Sequence, residues 1–156
     1  MRLIFTYIAV LISLGSVAQT SRQLVRAGND NYKIDSLNSA IEDYEKALSV
    51  DPKMEEAKFN LGDAFYRSGK FADAAKTFNE LGQTSQNKQI KSDAHFNEGN
   101  SLMQTKKFEE AMGAYKNSLR ANPSNNKARY NYEFAKKMLQ EQQKQEQENE
   151  NDQNKD

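Results

Sequence analysis

"NLGDAFYRSGKFADAAKTF", Asn60 to Phe78, decides how the rest of the chain is read. Gly62 stands twelve residues before Ala74, and Phe78 follows four later. The same intervals separate Gly28, Ala40 and Tyr44, and again Gly99, Ala111 and Tyr115. Three such matches in order along one chain make an internal repeat. Leu61, Phe65 and Phe71 add an apolar stripe at helical spacing. Ser68 and Gly69 break it with a turn, so the unit reads as helix–turn–helix. Gly62, having no side chain, lets the first helix approach the second closely, and Ala74 is small for the same reason. Phe78 fills the gap toward the next unit.

The repeat extends outward in both directions. "SAIEDYEKALSVDP" (Ser39 to Pro52) aligns with "EAMGAYKNSLRANP" (Glu110 to Pro123), and "DAAKTFNELG" (Asp73 to Gly82) fits between them. Pro52 and Pro123 each stop a second helix. The units start near Ser21, Glu55 and Ser92, at intervals of 34 and 37 residues. After Pro123, "NNKARYNYEFAKKMLQ" begins in register but lacks the glycine, and no second helix follows. It reads as the solvent-facing cap that a stacked array needs.

This pattern resembles the tetratricopeptide repeat (TPR), with its W-x2-L-G-x2-Y, A-x3-F and P positions over 34 residues. The resemblance implies an all-α, helix–turn–helix TPR solenoid of about three repeats with a C-terminal capping helix. The repeats cover about 21–54, 55–88 and 92–125 within a domain of 19–139, and the cap covers 126–139. Some positions depart from the pattern. Repeat one has Asn31 in place of the aromatic and Asp35 in place of the turn glycine, so its first helix is expected to be the least stable part. Repeat two lacks the closing proline, and "GQTSQNKQ" (Gly82 to Gln89) carries three extra residues, which predicts a longer loop.

The two ends are different material. "MRLIFTYIAVLISLGSVAQT" has a basic start at Arg2, an apolar run from Leu3 to Leu14, and small residues at Gly15, Ser16 and Ala18. This describes a secretory signal peptide over residues 1–18, cleaved after Ala18. The apolar run falls short of the roughly 20 residues a spanning helix wants. With no Cys in the chain, a lipoprotein anchor is excluded. The expected location is extracytoplasmic, in the periplasm, with no membrane span after cleavage. The alternative is an uncleaved segment that anchors the protein to the inner membrane. At the other end, 140–156 is nearly all Gln, Glu, Asn, Asp and Lys, which predicts disorder beyond a few residues that continue the cap.

Composition narrows the chemistry. Lys plus Arg equals Asp plus Glu, at 22 each, so the chain as a whole presents no field to steer nucleic acid. "SGKF" (Ser68 to Phe71) lacks the Ser or Thr and the glycine spacing of a phosphate loop. "DQNKD" (Asp152 to Asp156) starts like a calcium loop but has neither its glycine nor its closing glutamate. His95 stands alone where the repeat often has Trp, and reads as interhelix packing. Paired acids such as Glu109 and Glu110 read as solvated helix faces. Neither an enzyme nor a cofactor or metal site is expected.

A partner would lie along the first helices, which form the concave wall in TPR arrays. The family's pattern places Arg22, Val25, Arg26, Asn29, Tyr32 and Lys33 there in repeat one. Repeat two supplies Glu56, Phe59, Asn60, Asp63, Tyr66 and Arg67. Repeat three supplies Asp93, Phe96, Asn97, Asn100, Met103 and Gln104, and the cap adds Lys127, Tyr130, Asn131 and Phe134. Asparagine amides offer a donor and an acceptor to an extended peptide backbone, and the aromatics add apolar contact. A carboxylate clamp for chaperone C-termini would occupy Val25, Asn29, Asn60, Asp93 and Asn97, of which only Asn29 and Asn60 fit. The order of signal, three repeats, capping helix and Gln/Glu tail resembles the BatC-type TPR proteins of the aerotolerance (Bat) operon. That resemblance implies a scaffold whose partners are Bat membrane proteins with von Willebrand factor A domains. The expected function is therefore a non-catalytic exported scaffold that holds a protein or extended peptide. The alternatives are a structural protein that stacks on itself and an accessory subunit of an enzyme complex.

Overall fold

The helices begin and end where the sequence supplies a physical reason. The computed structural model describes residues 20–153, with side chains as far as 149, and the expected signal segment and its cleavage site lie outside these residues. Seven helices, and no strand, occur among the described residues: α1 (20–33), α2 (Leu37–Val50), α3 (Glu55–Arg67), α4 (Phe71–Thr84), α5 (Lys88–Gln104), α6 (Phe108–Ala121) and α7 (Asn126–Gln153). The fold is the expected all-α helix–turn–helix array. The described residues fall into two compact units divided after Lys70, so α1–α3 belong to the first and α4–α7 to the second.

Each turn inside a repeat passes through one residue of left-handed backbone. These are Asp35 (φ 62°), Gly69 (φ 77°) and Lys106 (φ 58°), spaced by the same 34 and 37 residues as the repeats. Asp tolerates this region better than most side chains, which is why repeat one closes its turn without the glycine. Between repeats, Pro52 and Pro123 directly follow the C-caps Asp51 and Asn122. Asn125 then opens α7 by accepting from the backbone N–H of Ala128 at 3.1 Å.

In the first unit, Val25, Ile41, Tyr44, Ala47, Ala57 and Leu61 share one core with Ala40 and Ala64. In the second, Ala111, Ala114, Tyr115, Ala128 and Ala135 form another with Ala75 and Leu102. Ala40, Ala74 and Ala111, the repeated small residues, are all fully buried. The role of the repeated glycine is more specific than helix approach alone. A Cβ built on Gly28 would lie 2.5 Å from Cε1 of Tyr44, and one on Gly99 the same distance from Cε1 of Tyr115. The aromatic therefore lies on the glycine of its own repeat.

Three sequence expectations need correction. The longer loop after repeat two is absent, because only residues 85–87 separate α4 from α5. The extra residues lengthen α5, which has 17 residues where α3 has 13. Asn87 makes this possible by accepting from the backbone N–H groups of Gln89 and Ile90. Buried Ser85 donates to the carbonyl of Asn87 and fixes the approach. The capping helix, expected to end at residue 139 before a disordered tail, continues to Gln153. Gln, Glu and Lys are good helix formers even with nothing to bury. Three pairs four residues apart support them: Lys137–Glu141, Gln142–Glu146 and Lys144–Glu148. Finally, Val25 is not on the groove wall but in the core, at 2% exposure.

The glycine argument has a direct test. Gly99→Ala is expected to lose about 1–3 kcal/mol of stability, because the Tyr115 ring must leave its site. Gly113→Ala has open space around its Cβ and should gain roughly 0.5–1 kcal/mol from helix propensity. Urea denaturation of the two variants measures both, and equal effects would refute the packing role.

Candidate functional site

One oxygen organises the inner wall of the first unit. Asn29 Oδ1, on α1, accepts from Tyr44 Oη on α2 at 2.7 Å and from Asn60 Nδ2 on α3 at 2.9 Å. Three helices thus meet at a single acceptor. The second unit repeats the device: Asn100 Oδ1 on α5 accepts from Tyr115 Oη on α6 and from Asn131 Nδ2 on α7, each at 2.9 Å. Burial, with help from Tyr32 and the carboxylates of Asp63, Glu56 and Asp43, pushes the Tyr44 hydroxyl up to about 12. It therefore keeps its proton and remains a donor across the physiological range.

Above this node the first unit holds a cavity of about 200 Å³, lined by Asn29, Tyr32, Lys33, Tyr44, Asn60 and Asp63. Five of the expected wall residues (Asn29, Tyr32, Lys33, Asn60 and Asp63) come together here. Asn60 gives its amide nitrogen to Asn29, and its Oδ1 has no partner among the described residues. Asp63 makes no hydrogen bond or ion pair there either. Among the described residues no side-chain nitrogen or oxygen is sealed from solvent without a partner, so the Asp63 oxygens open into accessible space. Burial of this carboxyl raises its pKa from 3.8 to about 6.

Arg67 is committed to the turn rather than to open wall. Its guanidinium lies 4.8 Å from the Tyr32 ring centre, donates to the Tyr32 carbonyl at 3.2 Å and pairs with Asp35 at 3.0 Å. Phe59 and Tyr66 on α3 are half-buried. In the second unit, Phe96 packs its ring 6.0 Å from that of Tyr115, and Met103 lies against the same core. The Asn97 side chain makes no hydrogen bond among the described residues, though its carbonyl accepts from Ser101. Tyr130 and Phe134, one turn apart on α7, are exposed at 73% and 47%. The expected wall residues thus fall into two sets, one in each unit.

Sequence reading missed one polar network. Buried Glu98 accepts from Asn79 Nδ2 at 2.7 Å and lies 2.8 Å from His95 Nδ1. The His95 ring rests on Gly82, where a Cβ would come within 2.6 Å of Cε1. The packing expected of His95 is present, with a carboxylate beside it. The signal was the three-residue spacing of His95 and Glu98, which puts both on one face of α5. Among the described residues no three His, Cys, Asp or Glu side chains converge as a metal site would require. No described helix is long and apolar enough to cross a membrane.

Two tetratricopeptide-repeat profiles match the chain, over residues 25–88 and 92–125. A search of curated proteins found no match. Among solved structures, the chain is similar to the first TPR of Spaghetti (RPAP3) bound to the HSP90 peptide SRMEEVD. Identity there is 26% and the TM-score 0.69, covering 78% of this chain and 94% of that one. The first TPR domain of human RPAP3 is 24% identical with a TM-score of 0.70, covering 80% and 96%. The TPR2AB domain of yeast Sti1, in its pHSP90 complex, is 21% identical with a TM-score of 0.70, covering 81% and 50%. The last two establish a shared fold.

The raised pKa of Asp63 carries a stability prediction. The folded value lies above the unfolded one, so the folded state binds this proton more tightly. The associated stability is complete below about pH 4 and is lost as pH rises through about 6. Asp63→Asn cannot ionise, so it should stabilise the protein at about pH 8 and be nearly neutral at about pH 4. The difference should reach ~1–2 kcal/mol, allowing for solvent screening. Urea denaturation at both pH values checks this, and a pH-independent effect would contradict it.

Proposed function

Because the chain belongs to the tetratricopeptide-repeat family, we propose that it is a non-catalytic scaffold that holds an extended segment of a protein partner. The observation that carries this reading is the first-unit cavity. It sets an amide oxygen and a carboxylate, both without internal partners, beside the rings of Tyr32 and Tyr44. Such groups suit a peptide backbone and its side chains. Relatives of the same fold have been solved with HSP90 and HSP70 peptides, which supports a peptide as the ligand class. Each amide contact would contribute roughly 0.5–1.5 kcal/mol, so a few of them predict micromolar binding.

The finer reading adds place and partner. The signal-like residues 1–18 support export, with Gln19 as the first residue of the mature chain. The resemblance to BatC-type proteins supports a membrane-associated complex with von Willebrand factor A partners. Apolar residues such as Phe59, Phe96 and Tyr130 would contact the partner beside the asparagines.

Pull-down from solubilised membranes of the native host tests the reading. The wild type should recover von Willebrand factor A membrane proteins. Asp63→Ala combined with Asn97→Ala should reduce recovery about tenfold, because neither side chain supports an internal hydrogen bond. Equal recovery by both would remove these faces as the binding site. N-terminal sequencing of protein from the periplasmic fraction decides the export reading.

A further inference from the structure

The cavity of the first unit has an unsatisfied polarity. Asn29, Asp63 and Asn100 occupy the same repeat position, each directly after the repeat glycine. Asn29 and Asn100 spend their oxygens on a tyrosine hydroxyl and on the next asparagine. Repeat two breaks both sides of this arrangement. It has an acid in place of the amide, and the aromatic sixteen residues after its glycine is Phe78, which has no hydroxyl. A carboxylate drawn back from solvent without a hydrogen-bond donor or a cation is costly.

Two cations lie nearby, Lys33 on the cavity lining itself and Arg67 at the end of α3, and each sits closer to another acid than to Asp63. Lys33 Nζ is 2.9 Å from Asp30, and Arg67 is 3.0 Å from Asp35. The Asp63 carboxylate and the Asn60 amide oxygen are thus acceptors without partners among the described residues. Aromatic rings, Tyr32 and Tyr44, stand beside them. An acceptor pair flanked by rings fits a cationic side chain, whose donors meet the oxygens while its stem or plane lies on the rings.

We propose that this cavity receives a lysine or arginine side chain of the bound segment, with Asp63 as its ion-pair acceptor. This rests on the reading that the chain binds an extended peptide, and adds the residue type recognised. Asp63 is then the residue that sets specificity in the first unit. A segment placing an acid at this subsite is rejected by the same carboxylate.

Three peptide pools test this against the full chain, immobilised at about pH 8, where Asp63 is ionised. The pools are degenerate except at one central position, which is lysine or arginine in the first, glutamine in the second and glutamate in the third. Retention of the cationic pool should exceed that of the glutamine pool about tenfold, and the glutamate pool should be weakest. Asp63→Asn restores the residue type of the equivalent positions and so keeps the fold. It should bring the cationic and glutamine pools level. Equal retention of the cationic and glutamine pools by wild type, or a cationic preference that survives Asp63→Asn, overturns the assignment of Asp63. Preference for the glutamate pool overturns it in favour of an acidic ligand. Retention of no pool overturns the peptide-binding reading itself, and the cation site with it.

Discussion

A tyrosine ring lying on a glycine is the contact on which the repeat depends. Tyr44 and Tyr115 occupy the space that a Cβ would need on Gly28 and Gly99. Such a contact demands that two helices meet at a defined point, sixteen residues apart along the chain. It also carries the ring's hydroxyl through the core to the inner wall. A buried hydroxyl must find a partner, and the residue after the glycine supplies it. That asparagine then accepts from the following first helix as well. Packing, polar satisfaction and the joining of one repeat to the next thus pass through one glycine, one aromatic and one asparagine.

This dependence explains why so much of the fold was legible. Gly, Ala and aromatic residues recur at fixed intervals because a one-residue slip would rotate the ring off its glycine. The turns were legible in the same way, since the chain must reverse at one point, and Asp35 shows that the backbone requirement outlasts the preferred residue. The linker after repeat two was misread because polar composition does not distinguish a loop from an exposed helical turn. There the deciding feature was a single cap, Asn87. Residues 140–153 were misread for a related reason. Absence of anything to bury predicts that a segment leaves the core, not that its backbone abandons hydrogen bonds that good helix formers readily make. The Glu98 network was missed because a carboxylate on a helix normally faces water, and only the partner Asn79, on another helix, makes its burial affordable.

The inner wall was legible as a surface but not in its commitments. Sequence places Asn29, Asn60, Asn100 and Asn131 on one kind of face, where each could offer both donor and acceptor. The structure shows that half of that capacity holds helices together. What remains for a ligand is less and more directional than the list of residues suggests. Val25 makes the same point, since a position that faces a groove in one repeat array is core in another when its side chain is apolar.

Fold likeness therefore cannot carry ligand polarity. A carboxylate clamp needs cations at positions that here hold a buried valine and an aspartate, Val25 and Asp93. Its asparagine at position 29 is present, but that oxygen already serves Tyr44 and Asn60. The repeat uses asparagine for architecture first, and recognition must come from departures from the repeated solution. Asp63 is such a departure. It keeps the shape of asparagine, loses the amide donor and adds a charge that no ion pair among the described residues neutralises. A protein tolerates a locally unfavourable group of this kind where something outside the folded chain completes it.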